Sequence, residues 1–260
     1  MFAEERTRKI KKMLIEYKKV DVSNLSNLLS VSEVTIRKDL EHLENEGFLT
    51  RTHGGAVLIE DVPREDIYNM FDIPEIEHKK TIGLIAAQIV NNNEAIFLGA
   101  GTTCLQIAKN LKDKRNITVV TTNVSAAIEI ADVQGIRVIL LGGDIKLQEY
   151  TYSIAGPSVI QAFKDIYVSN AFIGVSGISF KRGYTVHDSD EASIDSEIVK
   201  YTNNITIVAD STKFDKIDFS LIGDLSMAKK VISDELVPEE YMKYYFENNI
   251  QLFTAYKLDN

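Results

Sequence analysis

Five short clusters of glycine, hydroxyl-bearing and charged residues hold the chemistry this chain could perform. They are Gly99-Ala100-Gly101-Thr102-Thr103, Thr122-Asn123-Val124-Ser125, Gly142-Gly143-Asp144, Gly174-Val175-Ser176-Gly177 and Asp210-Ser211-Thr212-Lys213. Any one is ordinary turn composition; five of them, each at the end of a short apolar run, describe a pocket. In Gly99–Thr103 the glycines let backbone approach a ligand, and the helix predicted to follow supplies free N–H groups and a positive dipole end. Phosphate or carboxylate is the matching chemistry. The order is neither Gly-x-x-x-x-Gly-Lys-Ser/Thr nor Gly-x-Gly-x-x-Gly, so the nucleoside-triphosphate and dinucleotide fingerprints are both absent.

Asp188, Glu191, Asp210 and Lys213 could form the acid–base set of an enzyme. A nucleophile is not evident, because Cys104 lies inside the helix after the glycine loop, where packing is its expected role. His42, His53, His78 and His187 lack a second His or Cys at ligand spacing, so neither a metal nor another cofactor is expected. His187, next to Asp188, reads either as a ligand contact or as an ordinary loop residue.

The first 57 residues point to a different chemistry. Ile10, Met13, Leu14 and Tyr17 make one apolar helix face. Asp21 is placed to N-cap a short helix stapled by Val20 and Leu25. After Leu29-Ser30-Val31 a second helix starts at the N-cap Ser32, with Val31 and Ile36 as its staple. Ile36, Leu40 and Leu43 face inward, Gly47 ends the helix as a left-handed residue, and Phe48 can reach back to Leu43. Two short helices joined by a tight turn are a helix-turn-helix. Ser32, Glu33, Thr35, Arg37, Lys38 and His42 are then left outside. Ser32 and Thr35 are candidates for base edges in the major groove, Arg37 and Lys38 for phosphates. Residues 48–51 and 56–58 read as strands of a hairpin wing with Arg51 and His53 at its tip. On these features alone a protein-docking module stays open.

Positioning these residues takes two bodies. We place a winged helix-turn-helix unit at 1–58, a linker at 59–77 around Pro63 and Pro74, and a larger unit at 78–260. In the larger unit, helices predicted at 79–90, 102–111, 125–131, 158–163, 191–201 and 239–246 alternate with strands. The strands fall at 95–98, 117–121, 138–141, 171–175, 205–209, 230–233 and 251–255. Short, wholly apolar strands between amphipathic helices mean an α/β fold, a mainly parallel doubly wound sheet covered on both faces. Ligands sit beyond the carboxyl ends of such strands.

The formal charge of −9 is unevenly spread: residues 1–57 hold ten Lys/Arg against nine Asp/Glu, and the remainder 19 against 29. A near-neutral head on an acidic body is compatible with DNA, since the local field decides. One cysteine forms no intramolecular disulfide, the charged start lacks a leader's apolar core, and no run approaches the roughly 20 apolar residues that span a bilayer. A soluble cytoplasmic protein with no membrane partner is expected.

The string VSEVTIRKDLEHLENEGFLTRTHGGAV resembles the head of the DeoR family of bacterial transcription regulators. It matches at Val31, Ser32, Thr35, Ile36, Arg37, Asp39, Leu40, Leu43, Glu44, Gly47, Arg51, His53, Gly54, Gly55 and Ala56. The body resembles the DeoR sensor domain through FLGAGTT (97–103), TTNVSAA (121–127), LLGGD (140–144), AFIGVSGIS (171–179), DSDEAS (188–193) and DSTKF (210–214). The resemblance implies a sensor related in fold to sugar-phosphate isomerases and CoA transferases, a double-stranded DNA operator, and a repressor more often than an activator of sugar-metabolism genes. It also implies a phosphorylated sugar, or a related metabolite, as effector. By position it assigns Gly101, Thr102 and Thr103 to the phosphate, Asn123, Asp188 and Glu191 to the polyol, and Lys213 to positive charge; Gly99 and Gly143 belong to the same strand-end turns. Because helix-turn-helix readers usually bind two half-sites, a homo-oligomer is expected.

This chain departs from the family pattern twice, with Gly99 where many members have Asp and Asp195 where many have Lys. Asp195 either brings a second acid into the pocket or points to solvent at the helix edge. Two other readings stand beside the regulator: an isomerase-like enzyme, and a DNA-binding protein indifferent to any ligand.

Overall fold

The computed structural model describes residues 3–59, 73, 75–148, 150–202 and 204–254. The chain divides into two compact units, Met1–Asp72 and Ile73–Asn260.

The first unit runs α1 (Ala3–Tyr17), β1 (Lys19–Asp21), α2 (Val22–Leu29), α3 (Glu33–Asn45), β2 (Leu49–Arg51) and β3 (Gly55–Leu58). Its helix ends form where side chains can satisfy orphan N–H groups. Asp21 accepts the N–H groups of Ser23 at 2.9 Å and Asn24 at 3.2 Å, and Ser32 accepts that of Thr35 at 3.2 Å. At the far end of α3, Gly47 takes φ +75° and the Phe48 N–H donates to the Leu43 carbonyl at 3.0 Å. Ile10, Leu14, Leu25, Ile36, Leu40 and Leu43 bury together as its core. β1 is an addition to the expected wing: it pairs with β3, so the sheet order is β1-β3-β2. Three residues are too few to show a period of two, and the sequence showed Val20 only as a staple.

The second unit begins with α4 (Ile76–Ile89), whose first two residues lie inside the expected linker; most of residues 59–77 lies outside the described residues. There follow β4 (Ala95–Leu98), α5 (Thr102–Lys109), β5 (Ile117–Thr121), α6 (Val124–Ile130) and β6 (Ile136–Leu140). After them come β7 (Asp144–Gln148), β8 (Thr151–Ala155), α7 (Pro157–Phe163), β9 (Asn170–Gly174), β10 (Gly177–Ser179) and β11 (Gly183–Val186). The unit closes with α8 (Ser189–Tyr201), β12 (Ile205–Val208), β13 (Ser220–Gly223), β14 (Lys230–Ser233), α9 (Glu239–Glu247) and β15 (Gln251–Thr254). Seven strands form one sheet in the order β15-β14-β12-β9-β4-β5-β6, and every pairing in it is parallel. Alternate strand residues feed two cores: Phe97 and Val120 on one face, Ile96, Leu98 and Val119 on the other.

This order fixes where a ligand can go. From β4 the chain winds outward through β5 and β6, returns to β9 on the other side of β4, and winds away through β12, β14 and β15. The direction reverses between β4 and β9, and the crevice of a doubly wound sheet opens at that reversal. Two pieces went unseen in the sequence: the β7–β8 hairpin and the antiparallel sheet β10-β11-β13. In β7 the apolar alternation is present, but Ile145 and Leu147 remain 66% and 59% exposed. Burial therefore gave that pattern no core to report.

Candidate nucleic-acid interface and effector site

On α3 the inward residues leave Ser32, Glu33, Lys38 and His42 exposed, Arg37 half-exposed and Thr35 half-buried. Most of these groups are lightly engaged: Arg37 lies 3.5 Å from Glu33 and His42 3.1 Å from Glu46. Ser32 is more committed, since its hydroxyl caps the helix and lies 2.9 Å from the Thr35 hydroxyl. At the wing, Arg51 is fixed by Glu44, which accepts its backbone N–H at 2.8 Å and its Nε–H at 2.6 Å. His53 is exposed. Asp39, matched in the sequence but given no role, is 7% exposed and accepts Nε and Nη2 of Arg6 at 2.5 and 2.9 Å. This bidentate pair ties α1 to the back of the recognition helix.

In the second unit, a cavity of about 290 Å³ opens at the β4/β9 reversal. Gly101 stands at φ +91°, ψ 168°, a region essentially reserved for glycine, and so delivers the chain into α5 with Thr102 and Thr103 leading. Of the residues the sequence assigns to the effector, Gly101, Thr102, Thr103, Asp188, Glu191 and Lys213 all border the cavity. His187 borders it too, while its Nδ1 lies 3.2 Å from Asp218.

Three of the expected effector residues, Gly99, Asn123 and Gly143, do not border this cavity. Asn123 is fully buried; its amide donates to the carbonyls of Gly101 at 3.0 Å and Gly99 at 3.4 Å, and its Oδ1 accepts from Ala126 at 3.0 Å. It therefore braces the glycine loop from beneath and is no part of the cavity wall. Gly99 is buried behind that loop with its N–H on the Phe172 carbonyl at 2.9 Å. Gly143 immediately precedes β7 and does not border the cavity; a Cβ there would come 2.4 Å from the Ala155 carbonyl oxygen.

Lys79 was missed. It is 4% exposed, borders the cavity, and places Nζ 3.9 Å from Asp210, itself 1% exposed. Its signal was present: Lys79, Ile82, Gly83, Ala86, Ala87 and Val90 share one helix face, and a lone lysine on an apolar face has a task. Lys146 on the hairpin was also missed; it holds Asp188 at 3.2 Å and Asp190 at 2.5 Å. Burial works to raise the Asp188 carboxyl, but the Glu191 N–H, the Lys146 ammonium and the Asp190 N–H together hold it below the usual aspartate range. Asp188 also N-caps α8, so part of its accepting capacity is taken. Cys104 is buried with its thiol pushed up by desolvation, which makes it a packing residue. Asp195 is 2% exposed and turned inward; burial first and Glu191 second push its carboxyl well above the usual range. Among the described residues there is no group of three His, Cys, Asp or Glu able to hold a metal, and no helix long and apolar enough to cross a membrane.

A winged helix-turn-helix followed by an α/β unit with a cavity at its switch point is the plan of a transcription regulator with a sensor domain. The chain belongs to the DeoR family: residues 6–62 match the DeoR-like helix-turn-helix domain and residues 74–235 the DeoR C terminal sensor domain. It is 33% identical to the HTH-type transcriptional regulator GolR of Listeria innocua, covering 94% of this chain and 96% of the relative. It is 29% identical to the HTH-type transcriptional repressor GlcR of Bacillus subtilis, over 98% and 97%. A D-ribose-5-phosphate isomerase in complex with phospho-erythronic acid aligns with 55% of each chain at 16% identity and a TM-score of 0.40. The family is one of transcription regulators, not of enzymes.

Proposed function

We propose that this protein represses sugar-metabolism genes in the cytoplasm as a homo-oligomer, and that a phosphorylated sugar in the β4/β9 cavity sets its affinity for a double-stranded operator. The observation that carries this reading is the convergence on one cavity of the Gly101–Thr103 helix start with Lys79 and Lys213. Two cations and a row of free N–H groups make a seat for a dianion, and the acids Asp188 and Glu191 opposite suit the hydroxyl groups of a polyol.

Lys79 also suggests how occupancy is reported. It sits in the first turn of α4, six residues after Ile73, where the second unit begins. An anion competing with Asp210 for Lys79 acts on the helix to which the DNA-binding head is joined in sequence. The ligand shifts operator affinity only by its differential affinity for the two arrangements of the protein.

The test pairs two measurements on the full chain: thermal stability against a panel of sugar phosphates and their unphosphorylated counterparts, and anisotropy of a duplex from the region upstream of its own gene. A shift with one phosphorylated sugar that also changes duplex affinity supports the reading. Stabilisation by neutral sugars alone rejects the anion seat. Ligand binding without any change in duplex affinity rejects the regulatory link.

A further inference from the structure

Asp195 lies one turn along α8 from Glu191, and both carboxyls approach the same small space. Among the described residues the Asp195 carboxyl accepts no hydrogen bond, although the side chain is 98% buried. It borders a chamber of about 10 Å³ walled by Thr122, Ser153 and Glu191 among others. Ala100 and Glu191 border both this chamber and the effector cavity, so the two adjoin. Lys79 and Lys213 border only the effector cavity, and Lys146 is held by Asp188 and Asp190. The chamber sets the two acids and the Thr122 and Ser153 side chains among Ala100, Ile154, Ala155 and Ile194, and its size suits one water-sized group. A phosphate is too large and of the wrong sign; an ammonium group fits both conditions.

We infer that this inner chamber is a subsite for a protonated amine, and that the effector of this protein is an anionic metabolite bearing an amino group, an amino sugar phosphate in chemical class. The phosphate sits on Gly101–Thr103 with Lys79 and Lys213, and the ammonium sits between Glu191 and Asp195. The inference rests on the reading of the outer cavity as an anion seat.

Among the described residues the titratable groups facing Asp195 are Glu191 on its own helix and the neutral Cys104 thiol from α5; Tyr184 on β11 pairs instead with Tyr245. Burial first and Glu191 second push the Asp195 carboxyl well above the usual range and so favour its protonated form in the unliganded protein. An ammonium between the two acids favours ionising both, so binding is coupled to proton release. Affinity for an amine-bearing ligand, relative to its hydroxyl analogue, then rises with pH until the amine itself loses its charge; the second ionisation of the phosphate is common to both and cancels in the ratio.

The experiment is calorimetric titration of the full chain with glucosamine 6-phosphate against glucose 6-phosphate, and galactosamine 6-phosphate against galactose 6-phosphate, between pH 6 and 8. Inorganic phosphate is titrated separately to report the anion seat. At least one amino sugar phosphate is expected to bind about tenfold tighter than its hydroxyl partner, the worth of one charge-assisted hydrogen bond. The margin should widen with pH, and Asp195→Asn should shrink it to about twofold or less. Phosphate binding with no amine preference at any pH, or a preference that Asp195→Asn leaves intact, overturns the inference while the anion seat stands. Failure of inorganic phosphate and of every sugar phosphate to bind overturns both. The pH slope is read on the unsubstituted chain, so the outcome does not hang on the variant folding.

Discussion

The two units hold their charges in opposite ways. In the first, Arg37 and Glu33 are about half exposed and 3.5 Å apart, and His42 reaches Glu46 from a side chain 66% exposed. In the second, Lys79, Asp210 and Asp195 are 4%, 1% and 2% exposed. The difference follows from what each must bind. A duplex is a repeating polyanion, and exposed cations that exchange counterions are enough to hold it. A small metabolite offers few charges, so its partners must be desolvated in advance and aimed at fixed points.

The largest effect is expected where the first unit breaks its own pattern, at the buried Arg6–Asp39 pair. Asp39→Ala leaves a guanidinium without its carboxylate and should destabilise that unit by about 3 kcal/mol, the low end for one partner of a buried pair. Chemical denaturation followed by duplex binding checks it, and undiminished stability would make the pair a surface contact. Next comes Lys79→Met, which keeps the apolar stem and removes the charge. We expect affinity for the phosphorylated effector to fall by about 10- to 100-fold, the range for hydrogen bonds to charged groups. Calorimetry decides, and an unchanged Kd would remove Lys79 from the anion seat.

The third prediction concerns pH. The Asp195 carboxyl is raised in the folded protein, so its contribution is fully present below the ordinary aspartate range and is lost as pH climbs toward its raised value. Relative to Asp195→Asn, which cannot ionise, the native chain should lose up to about 1.4 kcal/mol per pH unit across that window. Urea midpoints measured from pH 4.5 upward read this directly; parallel curves would put Asp195 in contact with solvent. The smallest effect belongs to the exposed face. Arg37→Ala should weaken binding to every duplex alike and lower the slope of log affinity against log salt by about 0.9. A change in base preference instead would give Arg37 a place in the groove.

Legibility differed between the units for the same physical reason. The caps at Asp21 and Ser32, the Gly47–Phe48 closure and the faces of α2 and α3 are all satisfied within a few residues, so composition and spacing describe them. The strands of the parallel sheet were readable too, because burial on both faces makes them apolar throughout. The hairpin β7–β8 was not, since its exposed apolar residues mimic neither core nor loop. The site was half readable: glycines and hydroxyls at strand ends announced a pocket, but their spacing could not say which of them face it.

By itself, then, the sequence determined a winged helix-turn-helix head, an α/β body, and a glycine loop suited to an anion. Only the tertiary structure decided that Asn123 turns beneath that loop, that Lys79 arrives from another helix to oppose Asp210, and that Asp195 points inward and not to water. Helix caps and faces depend on neighbours within one or two turns. A cavity wall depends on strand order, which brings together residues as far apart as Lys79 and Lys213, and no local rule of spacing encodes that meeting.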